Sequence, residues 1–213
     1  MKKLMLTICL VLGLVIMAAP ALADPFNVND TITYTLSNAV GTPFGSGGLF
    51  TITNTDTSGV IQTFCLEMNE YIYQNDRVAG ISDSAVLGGR DGGNPDKISS
   101  STDWLYAQYI GNKAAYNPAA LQIAFWTLED EVNETEAASW FNAALLLIAN
   151  GYVADANLHD TGSYGTQVLN LKAAGAETPH QSQLISVPEP GILILLGIAM
   201  SAIGAASWRI RKL

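Results

Sequence analysis

The chain has 213 residues, with 10 Lys and Arg against 19 Asp and Glu and only two cysteines. Once its two apolar ends are set aside, residues 24–187 carry 5 basic and 18 acidic side chains, a net charge of −13 that repels nucleic acid and anionic membrane surfaces. Apolar residues make up 71 of those 164, enough for one ordered domain with its own core and too many for a low-complexity tract.

Residues 1–23 read as a secretory signal. Lys2 and Lys3 precede an apolar run from Leu4 to Met17, and Ala21-Leu22-Ala23 supplies the small residues of a cleavage site, so processing is expected before Asp24. Cys9 then leaves with the signal. Cys65 is left alone in a compartment where disulfides normally form, which asks for a chemical explanation.

The first half of the exported segment reads as strands. Thr31–Leu36 alternates Thr with apolar residues, Leu49–Thr53 follows a Gly-rich turn, and Val60–Leu66 follows Asp56-Thr57-Ser58-Gly59, which predicts a three-stranded meander. A further strand is expected at Glu70–Tyr73. The glycine-laden stretch Leu87–Asp96 predicts a surface loop; its acidic spacing lacks the alternate ligands and terminal Glu of a calcium-binding EF-hand loop.

The middle reads as helical. Ser101–Ile110 starts with capping residues and meets Gly111 as a stop, predicting a short helix. Asn117-Pro118 is a cap followed by a first-turn proline, and Leu121, Phe125 and Leu128 then share one face of a helix running to about Asp130. Asn133 and Glu136 form a capping-box start for a third helix, with Ala137, Trp140, Phe141, Ala144, Leu145 and Ile148 as its apolar stripe before Gly151. Thr166–Leu171 and Gln183–Val187 predict returning strands. The expected fold is α+β, with sandwich-like or barrel-like strands at both ends around a central section of about three helices.

Hydrolytic chemistry finds little support. His159 and His180 are the only imidazoles, no Gly-x-Ser-x-Gly elbow occurs, and one cysteine with two scattered histidines gives no zinc spacing, so neither an enzyme nor a metal or cofactor site is expected. Glu129, Asp130 and Glu131 are consecutive at a helix end, where a solvated acidic terminus is the simplest reading; an enzyme would need them to line a cleft. Two other polar residues stand out. Cys65 lies in Phe64-Cys65-Leu66, as a small buried residue would, and Gln122 falls beside an apolar helical stripe, where a carboxamide is costly unless it is hydrogen-bonded.

These two segments, Phe64-Cys65-Leu66 and Leu121-Gln122-Ile123-Ala124-Phe125-Trp126, resemble the paired signature of bacterial surface thioester domains: an aromatic-Cys block, then a helix bearing Gln-x-Ala-apolar-Trp. The resemblance maps onto Cys65, Gln122, Ala124, Phe125 and Trp126 and departs from the pattern at Leu121, where many family members carry Thr. It implies that the cysteine sulfur and the glutamine side chain join with loss of ammonia, giving an internal thioester that an amine-bearing ligand on another surface can open. Phe64, Phe125 and Trp126 would shield the bond from water.

The C-terminal end carries a second resemblance. Val187-Pro188-Glu189-Pro190-Gly191, the uncharged Gly191–Trp208, and then Arg209, Arg211 and Lys212 resemble the tripartite PEP-CTERM sorting signal of Gram-negative bacteria. That resemblance implies an exosortase-type membrane peptidase as partner, transient anchoring in the inner membrane through a transmembrane helix, and delivery to the cell surface or extracellular matrix. An ordinary membrane anchor is the alternative for the apolar span taken alone. The chain thus divides into residues 1–23, an exported domain at 24–186 and a sorting tail at 187–213. It reads as a surface protein that is either a covalent adhesin or a non-covalent structural or carbohydrate-associated matrix protein.

Overall fold

A computed structural model describes residues 25–90 and 92–187, all within one unit, Asp24–Val187. The expected signal peptide and C-terminal spanning helix lie outside the described residues.

Three antiparallel strands come first: β1 (Ile32–Thr42), β2 (Gly45–Asn54) and β3 (Val60–Thr63), in the order β1-β2-β3. Their inner face is apolar, with Ile32, Phe50 and Ile52 sealed from solvent. The expected Gly-rich turn is mostly strand, because Gly45–Gly48 belongs to β2 and the hairpin turns at Pro43-Phe44. No strand forms at Glu70–Tyr73. Tyr73 instead turns onto Asp76, its amide donating to Oδ2 at 2.8 Å, and the chain enters an unexpected strand, β4 (Arg77–Ser82). β4 pairs with β7 (Thr166–Lys172), which pairs with β8 (Pro179–Ser186), giving a second antiparallel sheet in the order β4-β7-β8. Two-residue strands β5 (Ser84–Ala85) and β6 (Asp96–Lys97) pin the ends of the glycine-laden loop.

The two sheets touch at both edges through single bridges, Thr31 to Arg77 and Cys65 to Gln183, without closing a barrel among the described residues. Beyond β3 the chain stays extended past Cys65, where Leu184 N donates to Phe64 O at 3.1 Å and Leu66 N to Ser182 O at 3.2 Å. Cys65 therefore sits on the seam between the sheets.

Four helices, rather than about three, fill the middle: α1 (Ser100–Gly111), α2 (Pro118–Leu128), α3 (Glu134–Trp140) and α4 (Ala143–Ala156). Ser99 caps α1, Asn117 caps α2 with Pro118 in its first turn, and the Asn133–Glu136 capping box opens α3. The expected third helix is two. Phe141 is extended and Asn142 restarts the helix by accepting from Ala144 N, so local capping overrides a continuous apolar stripe. Gly151 does not stop α4, which continues to Ala156. α2 differs from a one-faced helix, since every residue from Ala120 to Trp126 is buried, and it packs against β1, β2 and α4.

Candidate functional site

Because α2 is buried all round, Gln122 has no route to water and must find its partners within the protein; it is 0 % exposed, as is Cys65. The seam delivers them. Gln122 Oε1 accepts from two backbone amides, Gly48 N at 3.1 Å and Cys65 N at 3.2 Å, while its Nε2 donates to Cys65 O at 2.9 Å. The Cys65 thiol lies 3.3 Å from the same Oε1. The seam and the helix thus bring the side chains of Cys65 and Gln122 to hydrogen-bond distance across 57 residues of sequence.

Two amides on one carbonyl oxygen have a chemical consequence. They draw electron density from the carboxamide carbon, and they would stabilise negative charge on that oxygen if a nucleophile added to the carbon, as paired N–H groups do for the tetrahedral intermediates of acyl transfer. The nucleophile at hand is sulfur. Its thiol form is favoured, because burial pushes the Cys65 pKa well up, Glu67 and Glu131 add to the rise, and the residue's own amide and the Trp126 indole oppose it.

Close approach depends on Gly47. A β-carbon there would collide with the Trp126 ring and lie 3.0 Å from Cys65 Sγ, so β2 can cross the pair only without a side chain. Gly48, at φ +151°, offers its amide from a conformation suited to glycine, and its β-carbon would press on the carbonyl oxygens of Ser37 and Asn38. A glycine inside a strand signals such a close approach, but the run reads equally as a turn in the sequence.

Aromatic rings pack around the residues next to the pair. Phe64 stacks edge-on with Tyr109 and tilted against Phe125, both with ring centres 5.2 Å apart, while Trp126 lies against Phe141 at 6.1 Å. Ala124 is fully buried beside them.

The acidic run is not a solvated terminus. Glu129 Oε1 accepts from Ser99 N at 3.1 Å and Ser99 Oγ at 2.8 Å, locking the start of α1, and burial raises its pKa; only Asp130 faces solvent. Glu131 is 2 % exposed and accepts from Met68 N and Arg90 N, each at 2.7 Å. Together with Glu67 and Glu70 it forms a carboxyl cluster that sequence reasoning missed, because its members come from two separated segments. Glu67 lies well above the usual carboxylate range through burial and then through Glu70, and Glu70 is pushed up to about 7 by burial and then by Glu131.

The glycine-laden loop is held rather than loose. Arg90 forms a bidentate pair with Glu136 at 2.7 and 3.0 Å, donates to Glu131 O at 2.8 Å, and lies over the rings of Phe44 and Trp140. Among the described residues, no group of three or more His, Cys, Asp or Glu side chains is arranged to hold a metal ion.

Comparison with known proteins bears on the C-terminal end. Residues 186–212 match the PEP-CTERM protein-sorting motif. This span contains Pro188, Glu189, Pro190, Arg209, Arg211 and Lys212. A PEP-CTERM motif implies an exported protein, processed by an exosortase-type membrane enzyme and held transiently in the membrane by its C-terminus. No helix among the described residues is long and apolar enough to cross a membrane, and Gly191–Trp208 lies beyond them. No curated protein and no solved structure matches the chain.

Proposed function

We propose that this exosortase-sorted protein is a covalent adhesin of a Gram-negative cell surface or extracellular matrix, and that its exported domain attaches to an amine-bearing ligand through a Cys65–Gln122 thioester. One observation carries the reading: Cys65 Sγ lies 3.3 Å from Gln122 Oε1 while two backbone amides hold that oxygen. Formation adds sulfur to the carboxamide carbon, moves the thiol proton to the departing nitrogen and releases ammonia. The remaining thioester keeps its acyl carbon reactive toward amines, because a thiolate is a far better leaving group than an amide nitrogen.

The setting supports storage of such a bond. Both residues are sealed from solvent, so water reaches the acyl carbon poorly, and Cys65 is the only cysteine of residues 24–187, so no second thiol competes for it. Purified without amines, the domain weighs one ammonia less than its sequence; a small primary amine adds at Gln122 and frees the Cys65 thiol, and Cys65→Ala and Gln122→Ala each abolish both effects. A wild-type mass equal to the sequence overturns the reading.

A second reading keeps the same export route and makes the domain a non-covalent structural or carbohydrate-associated matrix protein. The observation favouring it is the raised pKa of Cys65, which together with a hydrogen-bonded Gln122 carboxamide also describes an inert thiol in a packed core.

A further inference from the structure

A small cavity of about 110 Å³ is lined by Trp126 and by the start of β2 beside the hairpin crossing. Ser46 and Tyr71, both exposed, stand at its mouth, and Glu70, Gln181 and Trp126 line it further in. Tyr71 Oη donates to Phe44 O at 2.6 Å, holding that mouth against the β1–β2 turn, while Gln181 Nε2 fixes the Glu70 backbone by donating to its carbonyl at 3.0 Å.

One polar group of this cavity has no partner. Glu70 Oε2 is buried with no hydrogen bond, while the indole of Trp126, a residue only 1 % exposed, faces the Cys65 thiol. Leaving that carboxylate oxygen orphaned is costly unless a ligand group meets it. The same indole packs beneath Gly47 next to the Cys65 sulfur, so the ring is the wall shared by the cavity and the Cys65–Gln122 pair.

We infer that this cavity is the entry chamber for the nucleophile, that Glu70 is the general base which receives an alkylammonium group and takes its proton, and that Trp126 is the gate to the acyl carbon. This rests on the thioester reading above. A primary amine arrives in water as its cation, and the unpartnered carboxylate oxygen both attracts that cation and accepts the proton that keeps its lone pair from reacting. The proton balance closes. The ammonium gives one proton to Glu70; the freed amine attacks the Gln122 acyl carbon; the carbon–sulfur bond breaks with its electron pair on Sγ; and a second nitrogen proton passes to that thiolate. The products are an amide, a free Cys65 thiol and a protonated Glu70, which returns its proton to solvent.

Burial and then Glu131 push the Glu70 pKa up to about 7, the Gly89 amide opposes the rise, Glu67 is raised in turn by Glu70, and the phenols of Tyr34 and Tyr71 complete the titratable lining. Below that value Glu70 is neutral and can neither attract nor deprotonate an ammonium.

The test follows methylamine incorporation into the amine-free exported domain by intact mass, from pH 5.5 to 8.5. The wild-type rate rises through a midpoint near 7, and Glu70→Gln keeps the ammonia deficit but incorporates methylamine roughly 10²-fold more slowly at pH 8, with that midpoint gone. Hydroxylamine, largely uncharged at neutral pH, opens the bond in Glu70→Gln at roughly the wild-type rate, because it needs no base. If Glu70→Gln retains the deficit and matches the wild-type methylamine rate and pH profile, Glu70 is not the base. Equal slowing toward both nucleophiles also overturns it, since that is the mark of a distorted acyl group. Absence of the deficit in the wild type removes the thioester reading itself and this inference with it.

Discussion

The Cys65–Gln122 seam and the Arg90 clamp are both polar constellations that tie a loop or strand to a helix, yet they are built on opposite terms. At the seam every partner of Gln122 is a backbone group or the thiol, both side chains are fully buried, and the arrangement is dry. At the clamp a guanidinium about one-fifth exposed joins a carboxylate about one-quarter exposed and covers two aromatic rings. The first places one reactive atom beside one carbonyl. The second spreads its hold over a bidentate ion pair, a bond to a backbone carbonyl and two aromatic rings, and keeps a loop in place. A dry, singly determined contact fails when any one member goes, whereas a solvated, multiply determined one degrades gradually.

Gln122→Ala puts the sharpest strain on that comparison. It orphans the amides of Gly48 and Cys65 and the carbonyl of Cys65 and leaves a cavity in a helix buried all round, so a loss of about 4 kcal/mol is expected from denaturant unfolding. A loss below about 1 kcal/mol would mean that the seam is held by its aromatic shell and not by the carboxamide.

Arg90→Ala is the counterpart. The Arg90 backbone amide still reaches Glu131, so Tm falls by only roughly 2–4 °C while protease cleavage between Leu87 and Asp96 quickens. The ammonia deficit stays in place. A collapse of the fold on this change would show that the loop is part of the core and erase the distinction between the two regions.

The smallest effect is expected from pH. Glu67, Glu70 and Glu129 all have raised pKa values, so each is accommodated as the neutral acid, and the stability this gives is fully present below the ordinary value of 4.5 and is lost as pH rises through the folded-state values, near 7 for Glu70. Glu136, held down first by its bond to Arg90, and Asp30, held down first by the Asn27 amide, stay ionised across that window and do not oppose the trend. Tm is therefore higher at pH 5 than at pH 8 by a few degrees in a thermal scan, and Glu70→Gln flattens the part of the slope centred near 7. A Tm that falls on acidification over the same interval would place the carboxyl cluster in contact with water.

Much of the local structure is legible in the residues themselves. Caps at Ser99, Asn117 and Asn133 announce three helix starts, and Asp56-Thr57-Ser58-Gly59 announces the turn into β3, because each is decided by bonds within a few residues. The errors cluster where distant partners decide. Asn142 reads as part of a continuous stripe although it caps a new helix; the Gly45–Gly48 run reads as a turn although β2 needs it to pass over Trp126; and β4 is absent from the reading because its residues alternate weakly and gain their place from β7.

By itself, the sequence determined the export logic and the chemical types at the seam: a sorting motif at residues 186–212, a single cysteine in residues 24–187, and a glutamine set in an apolar helical run. These depend on composition and short-range order, which need no fold. Only the tertiary structure decided that β2 and the Cys65 segment each lay one amide on the Gln122 oxygen, that Glu67 and Glu131 come near the thiol, and that Trp126 lies against both the sulfur and a small cavity. The reason is burial: in water each of these groups would be satisfied singly, and it is the exclusion of water by packed strands and helices that forces them to find one another.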